Sequence, residues 1–248
     1  MNRMDVTDSN AYLGRWPYWD MQVSTGELLV RHMRKNGIGA ALVGSLRSVF
    51  GDAEEGNLEL LRACRKHPDT LFGHATLTPF SKRKGVGIQE LTSGTFKGIR
   101  LYPQYHSFPL TNSEHILETA EDLRVPVVLP LRLVMSWNLP ALSMGEMVSL
   151  AREYRRINFV FSGLDYEAAE ILTLKKKPTN VYIETSCLQL WGAIPRLLEE
   201  PGGDRVLLGT GTPVQYAQSG VRNVLDSTPS DGQKAMVASK SARRLFRL

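Results

Sequence analysis

The sequence predicts an α/β fold: a single closed (β/α)8 barrel of the TIM type, with eight parallel strands. Three observations carry this expectation. Eight short β-rich runs alternate with longer helix-period runs from end to end. No break in composition separates them, so residues 1–248 read as one domain, and that length suits a barrel of this kind. The alternative, an open doubly wound sheet, usually carries a glycine-rich phosphate loop after its first strand, and neither GxGxxG nor GxxxxGK[ST] occurs here.

The first strand is expected over Asp5 to Leu13. A helix follows over Thr25 to Lys35, with Leu28, Leu29, His32 and Met33 on one face and Asn36-Gly37 as its stop. Ala40 to Ser45 is the second strand, and its helix runs from about Glu54 to Lys66, before Pro68. Leu71 to Leu77 is the third strand, with a weaker helix over Gly87 to Leu91. Phe96 to Tyr102 is the fourth, followed by a helix over Ser113 to Arg124. Val125 to Leu131 is the fifth, with a helix near Ala141 to Arg155. Asn158 to Ser162 and Tyr166 to Leu174 form the sixth pair, Val181 to Thr185 and Ile194 to Glu200 the seventh. Arg205 to Gly209 is the eighth strand. The last helix spans Asp231 to Leu245, where Ser230 and Gln233 have capping-box spacing.

Composition narrows the function classes. Thirty Lys and Arg against 25 Asp and Glu give a net charge of +5, spread along the chain in short runs. A nucleic-acid binder would carry a basic stripe or a known module, and neither is present, so no nucleic-acid partner is expected. No apolar run approaches the roughly 20 residues that span a bilayer, so no membrane partner is expected either. Cys64 and Cys187 lie far apart without CxxC spacing, and no secretory leader is visible, so a cytoplasmic, reducing setting is the expectation.

Parallel barrels keep their chemistry at the C-terminal ends of the strands. That rule selects Asn10, Tyr12, Arg15 and Trp16 after the first strand, Ser45 after the second, and His74 and Thr76 on the third. It selects Arg100, Tyr102, Tyr105 and His106 around the fourth, Arg132 after the fifth and Ser162 on the sixth. Glu184 and Ser186 follow from the seventh strand, and Thr210, Thr212, Gln215 and Tyr216 from the eighth.

Several segments resemble the amidohydrolase superfamily, in particular its decarboxylase- and lactonase-like members. The opening D-S-N-A-Y-L-G-R-W-P (Asp8 to Pro17) is similar to their first strand, D-x-H-x-H-x-G. F-K-G-I-R-L-Y-P (Phe96 to Pro103) is similar to their fourth strand and V-P-V-V-L-P (Val125 to Pro130) to their fifth. R-V-L-L-G-T-G-T-P (Arg205 to Pro213) and S-A-R-R-L-F (Ser241 to Phe246) resemble their eighth strand and closing helix. The matches span the chain in the right order. The resemblance implies a divalent metal held by two histidines of the first strand, one each from the fifth and sixth, and an aspartate from the eighth. This chain has Asn10, Tyr12, Pro130, Ser162 or Gly163, and Gly211 there. None suits zinc, so no metal and no cofactor is expected.

The remaining candidates each admit two readings. Arg100 and Arg132 would clamp a carboxylate or phosphate, or one of them pairs structurally with Glu184. His106 would be a general acid or base on a loop over the mouth, or a structural group. Glu184 would be a base. Asn10, Tyr12, Tyr102, Tyr105, Ser162, Thr210 and Gln215 would contact substrate, or pack the rim. Ser45, Ser162 and Ser186 lack GxSxG and an assignable histidine, and Cys187 lacks a partner. His74 reads as a core or rim residue; His32, His67 and His115 receive no role. Trp16, Trp137 and Trp191 would line the pocket or pack on the surface of the helix ring, and Pro103 to Pro109 and Leu133 to Pro140 are lid candidates.

Three functions follow. The first is a metal-independent hydrolase or decarboxylase of a small carboxylated substrate. The second is a catalytically inactive homologue that binds a small anion or a partner protein. The third, a relocated metal site, is the weakest, since five histidines without ligand spacing offer little. A His and a Glu facing one cavity would favour the enzyme, and a mouth plugged by Trp and Tyr the binding protein. Association as a homodimer through helix faces is an expectation by analogy alone.

Overall fold

The computed structural model describes residues 4–82, 84–135, 139–165, 178–189, 192–199 and 203–248. Eight strands form one parallel sheet in sequence order: β1 (Thr7–Leu13), β2 (Ala40–Ser45), β3 (Leu71–Thr76), β4 (Phe96–Arg100), β5 (Val127–Pro130), β6 (Phe159–Ser162), β7 (Val181–Glu184) and β8 (Val206–Leu207). Backbone hydrogen bonds then join the eighth strand region to the first: Ser9 N to Leu208 O, Gly211 N to Asn10 O and Tyr12 N to Thr212 O, each at 2.8 Å. The expected (β/α)8 barrel is what the chain forms.

Most predicted elements stand within a residue or two of their places. The first helix is Gly26–Lys35, and its N-terminus is capped by Thr25, whose hydroxyl accepts from Leu28 N. The capping box at Ser230 and Gln233 is present in both directions. Where the structure departs from the expectation, the causes are local. A short helix, Leu46–Phe50, follows β2 at once, because the Ser45 hydroxyl caps it by accepting from Ser48 N. Pro103–His106 is helical rather than a loop, with Pro103 in the first turn where a missing N–H is harmless. Ala217–Leu225 is a helix that the sequence reading left out. The closing helix is interrupted by a π-helical turn, Met236–Lys240, between Asp231–Ala235 and Ser241–Phe246. The eighth strand is only two residues long. The helix expected over Tyr166 to Leu174, together with Trp137 and Trp191, lies outside the described residues. Among the described residues no helix is long and apolar enough to cross a membrane.

The apolar residues divide into three clusters. The largest lies between the outward faces of the strands and the helix ring, for example Val43, Ile99 and Phe161 against Leu60, Leu117 and Met147. A second fills the barrel axis, where Leu42, Val128, Val160 and Leu207 meet Ala242, Leu245 and Phe246 of the closing helix. The Phe246 ring lies 5.0 Å from that of His74, so this apolar plug is the floor beneath the polar centre. The third cluster gathers Tyr12, Trp16, Leu46, Tyr102, Leu133 and Val214 at the mouth.

Candidate functional site

A register shift in β1 between Asp8 and Ala11 sets the geometry of the barrel centre, because such a shift re-aims the side chains around it. Asp8, Asn10 and Tyr12 are all buried there. Asp8 Oδ1 accepts from Asn10 N and Thr210 N, each at 3.0 Å, and its Oδ2 accepts from the Thr210 hydroxyl. This carboxylate was not among the sequence candidates, although a charged residue opening an otherwise buried strand was a usable signal.

Arg100, the last residue of β4, is fully buried. Its Nε donates to His74 Nδ1 at 3.0 Å, Nη1 to Asn10 Oδ1 at 2.9 Å and Nη2 to Ser9 O at 3.5 Å. The guanidinium carbon lies 5.1 Å from the centroid of the Tyr12 ring, within cation–π range. The protein therefore engages Arg100 from three sides. Arg132 follows β5, is only partly buried, and places Nη1 3.6 Å from Met135 Sδ.

Glu184 ends β7 and is also fully buried. Its Oε1 accepts from Asn10 Nδ2 at 3.2 Å, Gly163 N at 2.8 Å and Ser186 Oγ at 2.7 Å, and its Oε2 accepts from Ser186 N at 2.6 Å. Two glycines make room for it. Gly163 has φ +70°, and any Cβ there would strike the Arg132 carbonyl; a Cβ on Gly209 would overlap Glu184 Oε2. Burial pushes the Glu184 pKa up, and the hydrogen bonds from Gly163 and Ser186 pull against that shift. Arg100 and Glu184 do not touch: the Asn10 amide joins them, its oxygen on the guanidinium and its nitrogen on the carboxylate. The expected structural pairing of Arg100 with Glu184 is thus indirect.

The other sequence candidates fall around this centre or above it. Thr210 is spent on Asp8. Ser162 closes β6, buried; among the described residues its hydroxyl, the phenol oxygens of Tyr12 and Tyr105 and the indole nitrogen of Trp16 find no partner, whereas the Tyr102 hydroxyl lies against Arg100. Gln215 donates to Cys187 Sγ at 3.5 Å. Burial pushes the Cys187 thiol up to about 12, so it is no nucleophile near neutral pH. His106 is not on a loop over the mouth as expected. It ends the short helix after β4, and its Nε2 sits 2.8 Å from Ser48 O with the ring stacked near Phe108. Burial lowers its pKa, and no described hydrogen bond connects it to Glu184.

His74 accepts a hydrogen bond from Arg100 through Nδ1, which assigns the proton to Nε2, and burial together with the guanidinium holds its pKa well below the ordinary 6.5. Inside the fold it binds fewer protons than in the unfolded chain wherever the pH is below about 6.5. Stability therefore falls as the pH drops below that value, by at most about 1.4 kcal/mol per pH unit from this residue. Denaturant titrations at several pH values should show a shallower acid loss for His74→Gln. An unchanged slope would mean that His74 is not the neutral partner of Arg100.

Beside the polar centre lies an open cavity of about 900 Å³. Thr185, Ser186, Thr210 and Gln215 reach it from the ends of β7 and β8, with Met135 after β5 and Trp19, Tyr216, Arg222 and Asn223 on its flanks. Tyr216 is 89% exposed and Trp19 51% exposed, so two large rings stand open at the entrance. Sequence reasoning named Thr210, Gln215, Tyr216 and Ser186 as strand-end candidates, the last without an assignable partner, and missed Trp19 and Arg222. Ser186 is the residue that joins this cavity to Glu184.

A family model described as amidohydrolase matches residues 8–248. Among solved structures, the chain is similar to 2,6-dihydroxybenzoate decarboxylase from Rhizobium, with 18% identity and a TM-score of 0.72 over 100% of this chain and 99% of that one. It is also similar to 5-carboxyvanillate decarboxylase from Sphingomonas paucimobilis, at 15% identity and a TM-score of 0.71 over 99% of each chain. A third similar structure is described as a probable 2-pyrone-4,6-dicarboxylic acid hydrolase from Acinetobacter baumannii with citric acid bound. It shares 14% identity, with a TM-score of 0.68 over 99% of this chain and 100% of that one. At these identities the likeness establishes the fold alone. No curated protein matches the chain.

Proposed function

Because this chain belongs to the amidohydrolase family, we propose that it is a metal-independent hydrolase or decarboxylase of a small carboxylated substrate, acting in the cavity at the C-terminal ends of β7 and β8. One observation carries the reading: Ser186 lines that cavity and donates at 2.7 Å to Glu184, a buried carboxylate whose pKa is raised by its burial. A carboxyl group shifted upward suits proton transfer near neutral pH.

The family's divalent metal does not fit the residues present. At the five positions where the resemblance implies ligands stand an amide, a phenol, a proline, a serine or glycine, and a glycine. Among the described residues no group of three or more His, Cys, Asp or Glu side chains could hold a metal ion. The proposed chemistry therefore runs through the chain's own groups. In hydrolysis, water attacks the substrate carbonyl and passes a proton to Ser186 Oγ, whose own proton moves to Glu184 Oε1; the bond from the carbonyl carbon to the leaving oxygen then breaks, and the proton returns through Ser186 to that oxygen. In decarboxylation the relay runs the other way: the C–CO2 bond breaks, and protonated Glu184 supplies the carbon with a proton through Ser186. Arg132, beside the lining residue Met135, and Arg222 supply positive charge for the substrate carboxylate. His106 is left out of the relay, since its Nε2 lies against Ser48 O.

The test is a panel of aromatic and aliphatic carboxylates and lactones, assayed for carbon dioxide release and ring opening with protein stripped of metal. Ser186→Ala is expected to lower kcat by about 10²-fold, in the range of a lost general acid–base group, while carboxylate-induced thermal shifts persist. Turnover that Ser186→Ala leaves intact would remove the relay. The second reading, an inactive homologue that binds a small anion, is favoured by the apolar cap of Tyr12, Trp16 and Tyr102, all buried at the mouth. Anion-induced shifts without turnover of any panel member would select it.

A further inference from the structure

The buried guanidinium of Arg100 has a place in the fold that its surroundings define closely. It touches both first-strand side chains that stand at the metal-ligand positions of the resemblance. Nη1 donates to Asn10 Oδ1 at 2.9 Å, and the guanidinium lies 5.1 Å from the centroid of the Tyr12 ring. Gly44 lets it in: a Cβ there would come within 3.1 Å of both Arg100 Cδ and Nη1. Among the described residues no carboxylate hydrogen-bonds to it directly, yet Asp8 and Glu184 are both buried with it, Asp8 accepting from the Asn10 backbone and Glu184 from the Asn10 amide. Two carboxylates, each surrounded by hydrogen-bond donors, thus share one internal cation, and like charges do not accumulate in such a low-dielectric setting.

We infer that Arg100 is the resident cation of this barrel: its guanidinium fills the place between Asn10 and Tyr12 that the resemblance gives to a divalent metal, and so excludes one. A guanidinium carries five N–H donors: three go to His74, Asn10 and Ser9, and the Tyr102 hydroxyl takes a further side-chain hydrogen bond from the same group. Among the described residues the hydroxyls of Tyr12 and Ser162, in the same buried centre, have no partner. Arg100 therefore supplies fixed positive charge in a form that neither exchanges nor needs loading. The inference rests on the metal-independent reading above, but its readouts are metal content and melting. A chain without turnover leaves it standing, and a chain that takes up metal sinks it while the Ser186 relay is still judged by kcat.

The test has two arms. In the first, the full chain is dialysed against zinc and, separately, manganese, then analysed for bound metal and for metal-induced thermal shift. Metal well below one per chain and no shift are expected; one tightly held metal per chain overturns the inference. In the second, Arg100→Ala is melted alone and with millimolar ethylguanidinium, ethylammonium or zinc. The midpoint is expected to fall and to recover with ethylguanidinium only. Recovery with zinc, or none with ethylguanidinium, overturns the assignment. If Arg100→Ala does not fold, the first arm decides.

Discussion

Glu184→Ala is expected to unfold about 3–5 kcal/mol more easily than the parent chain, as for other buried charges stripped of a partner. Four donors converge on this carboxylate from Asn10, Gly163 and Ser186; Asn10 and Gly163 are buried, while Ser186 also faces the cavity. Truncation leaves the buried Gly163 N–H without its acceptor and costs Asn10 Nδ2 one of two, the other being Ser186 Oγ; a buried donor without an acceptor is destabilising by roughly 1–3 kcal/mol. It also removes from the buried centre one of the two carboxylates, Asp8 and Glu184, that accompany Arg100. Glu184→Gln is the sharper comparison. It keeps the volume, but its amide nitrogen must face at least one N–H that now donates to an oxygen. A loss of about 2 kcal/mol or more is expected for Gln as well, from the same unmet-donor penalty. Denaturant unfolding measures both. A Gln variant as stable as the parent would show that these hydrogen bonds do not hold the carboxylate as described.

Arg100→Met is expected to be destabilising by a similar amount, about 3–5 kcal/mol, although methionine matches much of the side-chain volume. The guanidinium links β1, β3 and β4 through Asn10, Ser9 and His74. Without it, His74 Nδ1 and Asn10 Oδ1 lose their donors, and the two carboxylates lose their cation. Because the effects of Arg100 and Glu184 meet at Asn10, the two losses should not add. Arg100→Met combined with Glu184→Ala should be less damaging than the sum, with a coupling of about 1–3 kcal/mol, typical of residues in one network. Additive losses would mean that the Asn10 bridge carries no energy between them.

How much of this was legible beforehand follows from the distances along the chain over which each feature is decided. The strands and most helices were readable, because period-2 and period-3.6 patterns are local and the stops at Asn36-Gly37, the Ser230 cap and Pro68 are chemical signals in the sequence. The errors lay where a short-range competitor acted. Ser45 capped a helix at once, Pro103 turned a loop into a helical turn, and Ala217–Leu225 has few strong signals at either end. The site was legible as a set of positions but not as partnerships. Glu184, Asn10 and Arg100 were all named, and their roles depended on which of them would meet.

The sequence by itself determined the barrel, the order of its strands, and the unsuitability of Asn10, Tyr12, Pro130 and Gly211 as a divalent ligand set, since each follows from residue identity and local pattern. Only the tertiary structure decided that Asn10 would stand between Arg100 and Glu184, 90 and 174 residues away, that Ser186 would link the carboxylate to the cavity, and that His106 would turn to Ser48. Side chains from eight separate strands reach one axis only after the sheet closes. Which of them touch is set by strand register, the shift in β1 and the clearance at Gly44, Gly163 and Gly209, none of which is encoded within any one segment.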